Sequence, residues 1–210
     1  MEDKRDGMEA AMWARNVPGV QEQLKSGKVA VAGLGGLGSH IAVMLARIGV
    51  GKLLLVDFDR VELSNLNRQH YDLSHIGLPK AVALKIQLEA ISPFVEIETN
   101  VVKVTQSNAL EIFRGYPVVC EAFDAAENKA MLVNALLEGG EARIVAASGM
   151  AGVGSANAIQ TRQVMKNLYI CGDSAPSPYE HIGFMAPRVM VCAGHQANMA
   201  ARLLMDMESP

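Results

Sequence analysis

The stretch that most constrains this chain is Lys28 to Asp59, KVAVAGLGGLGSHIAVMLARIGVGKLLLVDFD, in which a Val-rich apolar run breaks into a cluster of glycines. A continuous apolar run of this length suits a parallel strand buried on both faces, and Lys28 to Ala32 is predicted to be one. Gly33, Gly35 and Gly38 then fit the G-x-G-x-x-G spacing. One glycine makes the tight turn, one lets a phosphate approach the backbone, and one permits close packing of helix on strand. Gly36 belongs to the same turn. Ile41, Met44, Leu45 and Ile48 recur at helical spacing, Ser39 can offer a hydroxyl in the first turn, and Gly49 reads as the C-terminal cap. The helix N-terminus would face the phosphates. Leu53 to Val56 form a second strand. Asp57 follows Gly38 by about the 20 positions at which an acidic residue meets a ribose hydroxyl in dinucleotide folds.

This unit predicts an α/β fold of Rossmann type. We expect a mainly parallel sheet flanked by helices, with an antiparallel hairpin added near the C-terminus. Taken alone, the glycine spacing favours NAD or FAD, and hence an oxidoreductase. With 210 residues, half of them hydrophobic, the chain suits one sizeable domain, placed at 28–210 behind a helical arm at 1–27. The arm reads as two short helices, Met8 to Arg15 and Gln21 to Leu24, broken at Pro18-Gly19. Nineteen basic residues against 22 acidic ones give no footprint for nucleic acid or an anionic membrane. No apolar run has the length of a membrane span or a signal core, so a cytoplasmic protein is expected. Cys120, Cys171 and Cys192 are an odd number with no C-x-x-C pair, which predicts reduced thiols and no zinc.

Beyond Asp59 the chain turns polar, at the end of a strand where open α/β sheets bind ligands. Asn65, Arg68 and Gln69 could reach phosphates there, with Arg68 able to grip one bidentately, or they could belong to an ordinary hydrogen-bonded loop. Pro79 opens a helix through about Ile91. Lys80, in its first turn, opposes the helix dipole unless it meets an anion, which makes it a phosphate candidate. Phe94 to Thr99 reads as a third strand, Thr105 to Phe113 as a helix, and Pro117 to Cys120 as a fourth strand. Asp124 comes next, just before a helix that stops at Gly139-Gly140. Its carboxylate either caps that helix or holds Mg²⁺ between phosphates. Ile144 to Ala147 is a fifth strand. Ser155 to Gln160 and Val164 to Ile170 read as the hairpin, turning at Thr161 to Gln163. Cys171 to Phe184 reads as a loop over the site, and a final helix starts near Pro187 and runs to about Met205. His195 on that helix is read as packed or hydrogen-bonded.

GLGGLGS, VDFD, N-x-N-R-Q, the Pro79-Lys80 pair and a strand-end Asp, in this order, resemble the adenylating domain shared by ubiquitin-activating enzymes, ThiF and MoeB. The likeness runs from about Ala14 to Leu204. The ending TRQVMKNLYICGD…GFMAPRVMVCAGHQANMAARLL is most similar to the short ThiF-type proteins of thiamine biosynthesis. The resemblance implies an adenylyltransferase that uses ATP and Mg²⁺ to activate the C-terminal glycine of a small ubiquitin-fold sulfur carrier of the ThiS kind. It implies that the Gly33–Gly38 turn holds the phosphates and Asp57 the ribose, and that Asp59, Asn65, Arg68, Gln69 and Lys80 surround the triphosphate. Asp124 would bind Mg²⁺, and Arg15 would reach the neighbouring subunit's γ-phosphate in a homodimer. Relatives that handle sulfur or form a thioester carry a cysteine where this chain has Tyr179 to Ile182, which leaves that step without its residue. A non-catalytic nucleotide- or carrier-binding scaffold is the other alternative.

Overall fold

The computed structural model describes residues 2–173 and 183–210. A seven-stranded sheet organises it, built from β1 (Lys28–Ala32), β2 (Lys52–Val56), β3 (Glu96–Asn100), β4 (Val118–Glu121), β5 (Arg143–Ala147), β6 (Gln160–Met165) and β7 (Leu168–Gly172). Their order across the sheet is β3-β2-β1-β4-β5-β7-β6, and every pairing is parallel except β6 with β7. The mainly parallel α/β fold with a C-terminal hairpin is therefore the one the sequence predicts.

Seven helices accompany the sheet among the described residues: α1 (Glu2–Trp13), α2 (Gln21–Ser26), α3 (Gly38–Ile48), α4 (Lys80–Ile91), α5 (Ala109–Ile112), α6 (Ala126–Gly139) and α7 (Ala186–Leu204). The alternation of side chains along β1 divides the core. Val29 and Val31 pack into the layer of α3, α4 and α7, whereas Ala30 and Ala32 face the layer of α5 and α6. Both sets are fully buried, as expected of a strand covered on both faces. Truncating one of the large buried residues, such as Leu45 or Leu132, would cost about 2–5 kcal/mol.

Local chemistry moves several boundaries. The helix expected over Thr105 to Phe113 shrinks to α5, because the Asn108 side chain turns back to accept from the Thr105 N–H (2.7 Å) and holds the preceding residues in a turn. The hairpin is real but shifted. Ser155 caps a 3₁₀ turn at Ala156–Ala158, so Thr161, Arg162 and Gln163 lie within β6, and the chain reverses at Lys166 and Asn167. Cys171, expected in a loop, is paired with Ala147 inside the sheet and fully buried. Residues 174–182 of that expected loop, including Tyr179 to Ile182, lie outside the described residues.

Candidate nucleotide site

Sheet order reverses between β1 and β4, and their C-terminal ends open a crevice where doubly wound sheets bind ligands. A cavity of about 310 Å³ occupies it, lined from four directions. The glycine turn after β1, residues 57–59 after β2, residues 122–124 after β4 and Lys80 at the start of α4 all face it.

The three glycines divide their work as the spacing predicts. Gly33 adopts φ +90°, and a Cβ there would meet the Ala122 carbonyl oxygen at 2.9 Å. Gly38 lies where α3 crosses the turn, and a Cβ would come within 1.8 Å of the Gly33 oxygen. At Gly35 the nearest atom to such a Cβ is the Gln69 Nε2, 3.8 Å away, so the backbone is bare toward the cavity. That opening suits a phosphate. Neither the start of α3 nor that of α4 or α6 carries a side-chain cap, and all three abut the cavity.

Asp57 is buried at the mouth of β2 and accepts from the Leu34 N–H (2.7 Å) and the Asp59 N–H (2.8 Å). Burial pushes its carboxyl upward, and the two backbone donors pull it back. The anion that Lys80 requires at its helix start is Asp59. The Lys80 Nζ donates to the Asp59 carboxylate at 3.0 Å, and its backbone N–H donates to the Asp59 carbonyl at 2.9 Å. Only 7 % of Lys80 is exposed, so its ammonium is held at the cavity wall by a single carboxylate that is itself half exposed.

Arg68 and Gln69 line the cavity, but two other candidates do not. Asn65 accepts from the Glu62 N–H (3.1 Å) and closes its own turn. Ser39 donates to the Gly35 carbonyl (2.7 Å) and accepts from the His70 N–H (3.0 Å), which ties α3 to the Arg68 segment. For both residues the structure shows a local hydrogen-bonding role. Arg68 is steadied by Asn67 Oδ1 (2.8 Å), by a 3.0 Å contact between its carbonyl and the His40 ring, and by the Phe184 ring, whose centroid lies 5.6 Å from its guanidinium carbon. Gln69 Oε1 is buried with no partner, an acceptor left open beside the glycine turn.

Across the cavity, Asp124 is exposed and its one hydrogen bond is local, from the Ala125 N–H at 2.7 Å. Ala125, not Asp124, occupies the cap position of α6, so the capping alternative does not hold. Sequence reasoning missed the pair beneath it. Glu121 is fully buried and takes both Lys129 Nζ contacts (3.0 and 3.1 Å) together with the Phe123 N–H (2.7 Å). Burial pushes this carboxyl up, and Lys129 opposes the shift. A lysine eight positions along on a helix reads as solvated, and no local pattern announces its pairing with Glu121. Removing Lys129 would leave the fully buried Glu121 carboxylate uncompensated, at a cost of about 3–5 kcal/mol.

Among the lining side chains, four cations, Arg68, Lys80, Lys103 and Lys129, face three carboxylates, Asp57, Asp59 and Asp124. Such a site can hold a polyanion. Arg15 is not part of this lining. The arm beside it is fixed to the far end of α3, by the Trp13 Nε1 on the Arg47 carbonyl (3.1 Å) and the Asn16 Nδ2 on the Ile48 carbonyl (2.9 Å). Along a helix of this length, that end lies roughly 16 Å from the glycine turn.

A family model described as the ThiF family matches residues 9–210. The chain belongs to the ThiF family. Over 108 residues it is 44% identical to a sulfur carrier protein adenylyltransferase of Thermus thermophilus, covering 51% of this chain and 40% of that protein. Over 109 residues it is 43% identical to a molybdopterin-synthase adenylyltransferase of Haemophilus influenzae, covering 51% and 44%. The matches thus span less than half the length of these relatives. Among solved structures, the E. coli tRNA N6-threonylcarbamoyladenosine dehydratase TcdA in complex with ATP superposes with a TM-score of 0.83 at 22% identity, over 97% of this chain and 94% of that one. E. coli MccB with ATP gives 0.74 at 20% identity, over 91% and 60%. At these identities the likeness is one of fold.

Proposed function

We propose that this ThiF-family chain is an ATP-dependent adenylyltransferase. It would activate the C-terminal glycine carboxylate of a small ubiquitin-fold sulfur carrier as an acyl adenylate, releasing pyrophosphate, with thiamine thiazole synthesis as the pathway. The observation that carries this reading is the cavity at the switch point. There a bare glycine turn faces Lys80 and Arg68 on one side and an exposed Asp124 on the other, a combination that suits a triphosphate with its Mg²⁺. Relatives named as adenylyltransferases for sulfur carriers and molybdopterin synthase support it.

The chemistry asks little of a base. A C-terminal carboxyl has a free pKa of about 3.3–3.7 and is already ionised at neutral pH. One carboxylate oxygen attacks the α-phosphorus, the new acyl–phosphate bond forms, and the bond to the β-phosphate oxygen breaks. Two anions must approach, so cations and backbone N–H groups carry the catalysis. In this reading Arg68 and Lys80 take the β- and γ-phosphates, Asp57 the ribose, and the N–H groups of the glycine turn the phosphate chain, with Gln69 alongside. Asp59 keeps Lys80 in place. Mg²⁺ is bound by one or two carboxylates and completed by substrate phosphates, so a single exposed carboxylate is enough to hold it. Asp124 fits, although no group of three or more His, Cys, Asp or Glu among the described residues could hold a metal alone. When bound, the ion supplies neutralisation of the phosphate charge.

Arg15 acts from a second copy in this reading, because its own cavity lies at the other end of α3. Arg15→Ala and Asp124→Ala chains, each inactive alone, should regain activity when mixed. One site of the heterodimer then carries both defects and the other neither. Isolated heterodimers that stay inactive would place Arg15 in its own subunit or outside the reaction.

Cys171→Ser should form carrier adenylate as fast as the wild type. Burial pushes the Cys171 thiol up to about 11, away from the thiolate that a nucleophile needs. A covalent carrier adduct formed by the wild type and missing in the variant would show a second chemical step at this cysteine.

Calorimetry of ATP with Mg²⁺ against NADH, followed by carrier-dependent pyrophosphate release, tests the function. ATP binding with carrier-stimulated release is expected. Preference for NADH would return the glycine turn to the oxidoreductase reading, and ATP binding without release would leave a scaffold.

A further inference from the structure

Arg188 lies in the first turn of α7, only 5 % exposed and outside the cavity lining, and its guanidinium is spent on neighbouring segments. Its Nε donates to the Ala151 carbonyl (3.2 Å), its Nη1 to those of Gly154 (2.8 Å) and Ser155 (2.6 Å), and its Nη2 is paired with the Asp173 carboxylate. A planar fork with five donors can collect this set, whereas an ammonium cannot. The segment so gathered does not end there. Gly152 donates its N–H to the Gly183 carbonyl (2.9 Å) and bridges Phe184 as a short parallel pair. Phe184 lines the cavity and offers its ring to the Arg68 guanidinium at 5.6 Å. A continuous path of contacts therefore runs from the Arg188–Asp173 pair through residues 151–155 to the surface on which Arg68 rests.

We propose that Arg188 is a positioning residue for Arg68: by fixing residues 151–155 it fixes the Phe184 ring, and the ring sets the direction in which the Arg68 guanidinium reaches into the cavity. The inference rests on the reading in which Arg68 meets the β- and γ-phosphates. It deepens that reading by assigning phosphate selectivity in part to two residues on the α7 side of the site.

Affinities for ATP and for AMP, measured by calorimetry on the same preparations, separate this role from a merely structural one. Phe184→Leu and Arg188→Lys should each lower the preference for ATP over AMP by roughly 3- to 10-fold, the range of one partly exposed cation–π contact. AMP affinity should fall less than ATP affinity. Phe184→Tyr, which keeps the ring, should keep the preference. In an Arg68→Ala background neither substitution should shift the ratio further, since the group they position is gone. A ratio unchanged in Phe184→Leu, or ATP and AMP affinities falling together in Arg188→Lys, would overturn the proposal. Should Arg68→Ala itself leave the ratio intact, the phosphate role of Arg68 falls, and the relay with it; an effect of Arg68→Ala without one in Phe184→Leu removes the relay alone.

Discussion

Asp124→Ala is expected to reduce carrier-dependent pyrophosphate release to background, a loss of about 10³-fold or more, with little change in melting temperature. Both halves follow from where the side chain lies. Asp124 is exposed at the end of β4 and bonds only to its own neighbour, so no distant element depends on it. Among the described carboxylates that line the cavity, Asp57 is committed to the Leu34 N–H and Asp59 to Lys80, whereas Asp124 is bound only to its neighbour. ATP affinity without Mg²⁺ should be nearly unaffected, because only the metal-bound state uses the residue. Release at the wild-type rate would remove Asp124 from the reaction.

Lys80→Ala is expected to slow adenylation by about 10²-fold or more, comparable to deleting one preorganised donor at a charged transition state. AMP, which lacks the β- and γ-phosphates, should bind nearly as well as before. The fold should tolerate the change. The partner left behind, Asp59, is half exposed, and pairs with such partners contribute up to about 1 kcal/mol. An equal loss of AMP affinity would put the ammonium elsewhere than the departing pyrophosphate. Asp59→Asn gives the complementary result: a smaller loss of rate, because the lysine remains but its orientation relaxes.

What the sequence disclosed, and what it hid, divides along the range of the interactions. Gly33, Gly35 and Gly38 were legible because their roles are local: a positive φ, a bare face and a close packing distance are imposed within six residues. Cys171 was misplaced for the opposite reason. Gly, Pro and Ser downstream made its segment read as a loop, while its burial comes from β5, which precedes it by more than twenty residues. Asn65 and Ser39 fit a phosphate loop by type, yet the Asn65 Oδ1 closes a turn and the Ser39 hydroxyl ties the α3 junction, contacts that composition cannot reveal. Glu121 with Lys129, and Asp173 with Arg188, pair the end of a strand segment with a helix side chain 8 and 15 positions further on. No periodicity announces such pairs. Lys80 was found by its misfit at a helix N-terminus, although the anion it meets first is Asp59.

The most direct measurement is intact mass of a small ubiquitin-fold sulfur carrier ending in Gly-Gly after incubation with this protein, ATP and Mg²⁺. A carrier heavier by one AMP moiety, seen with wild-type protein and absent with Asp124→Ala, is the predicted result. A carrier of unchanged mass across ThiS-like and molybdopterin-type carriers, from protein that demonstrably binds ATP, would contradict the assignment of this site to adenylation.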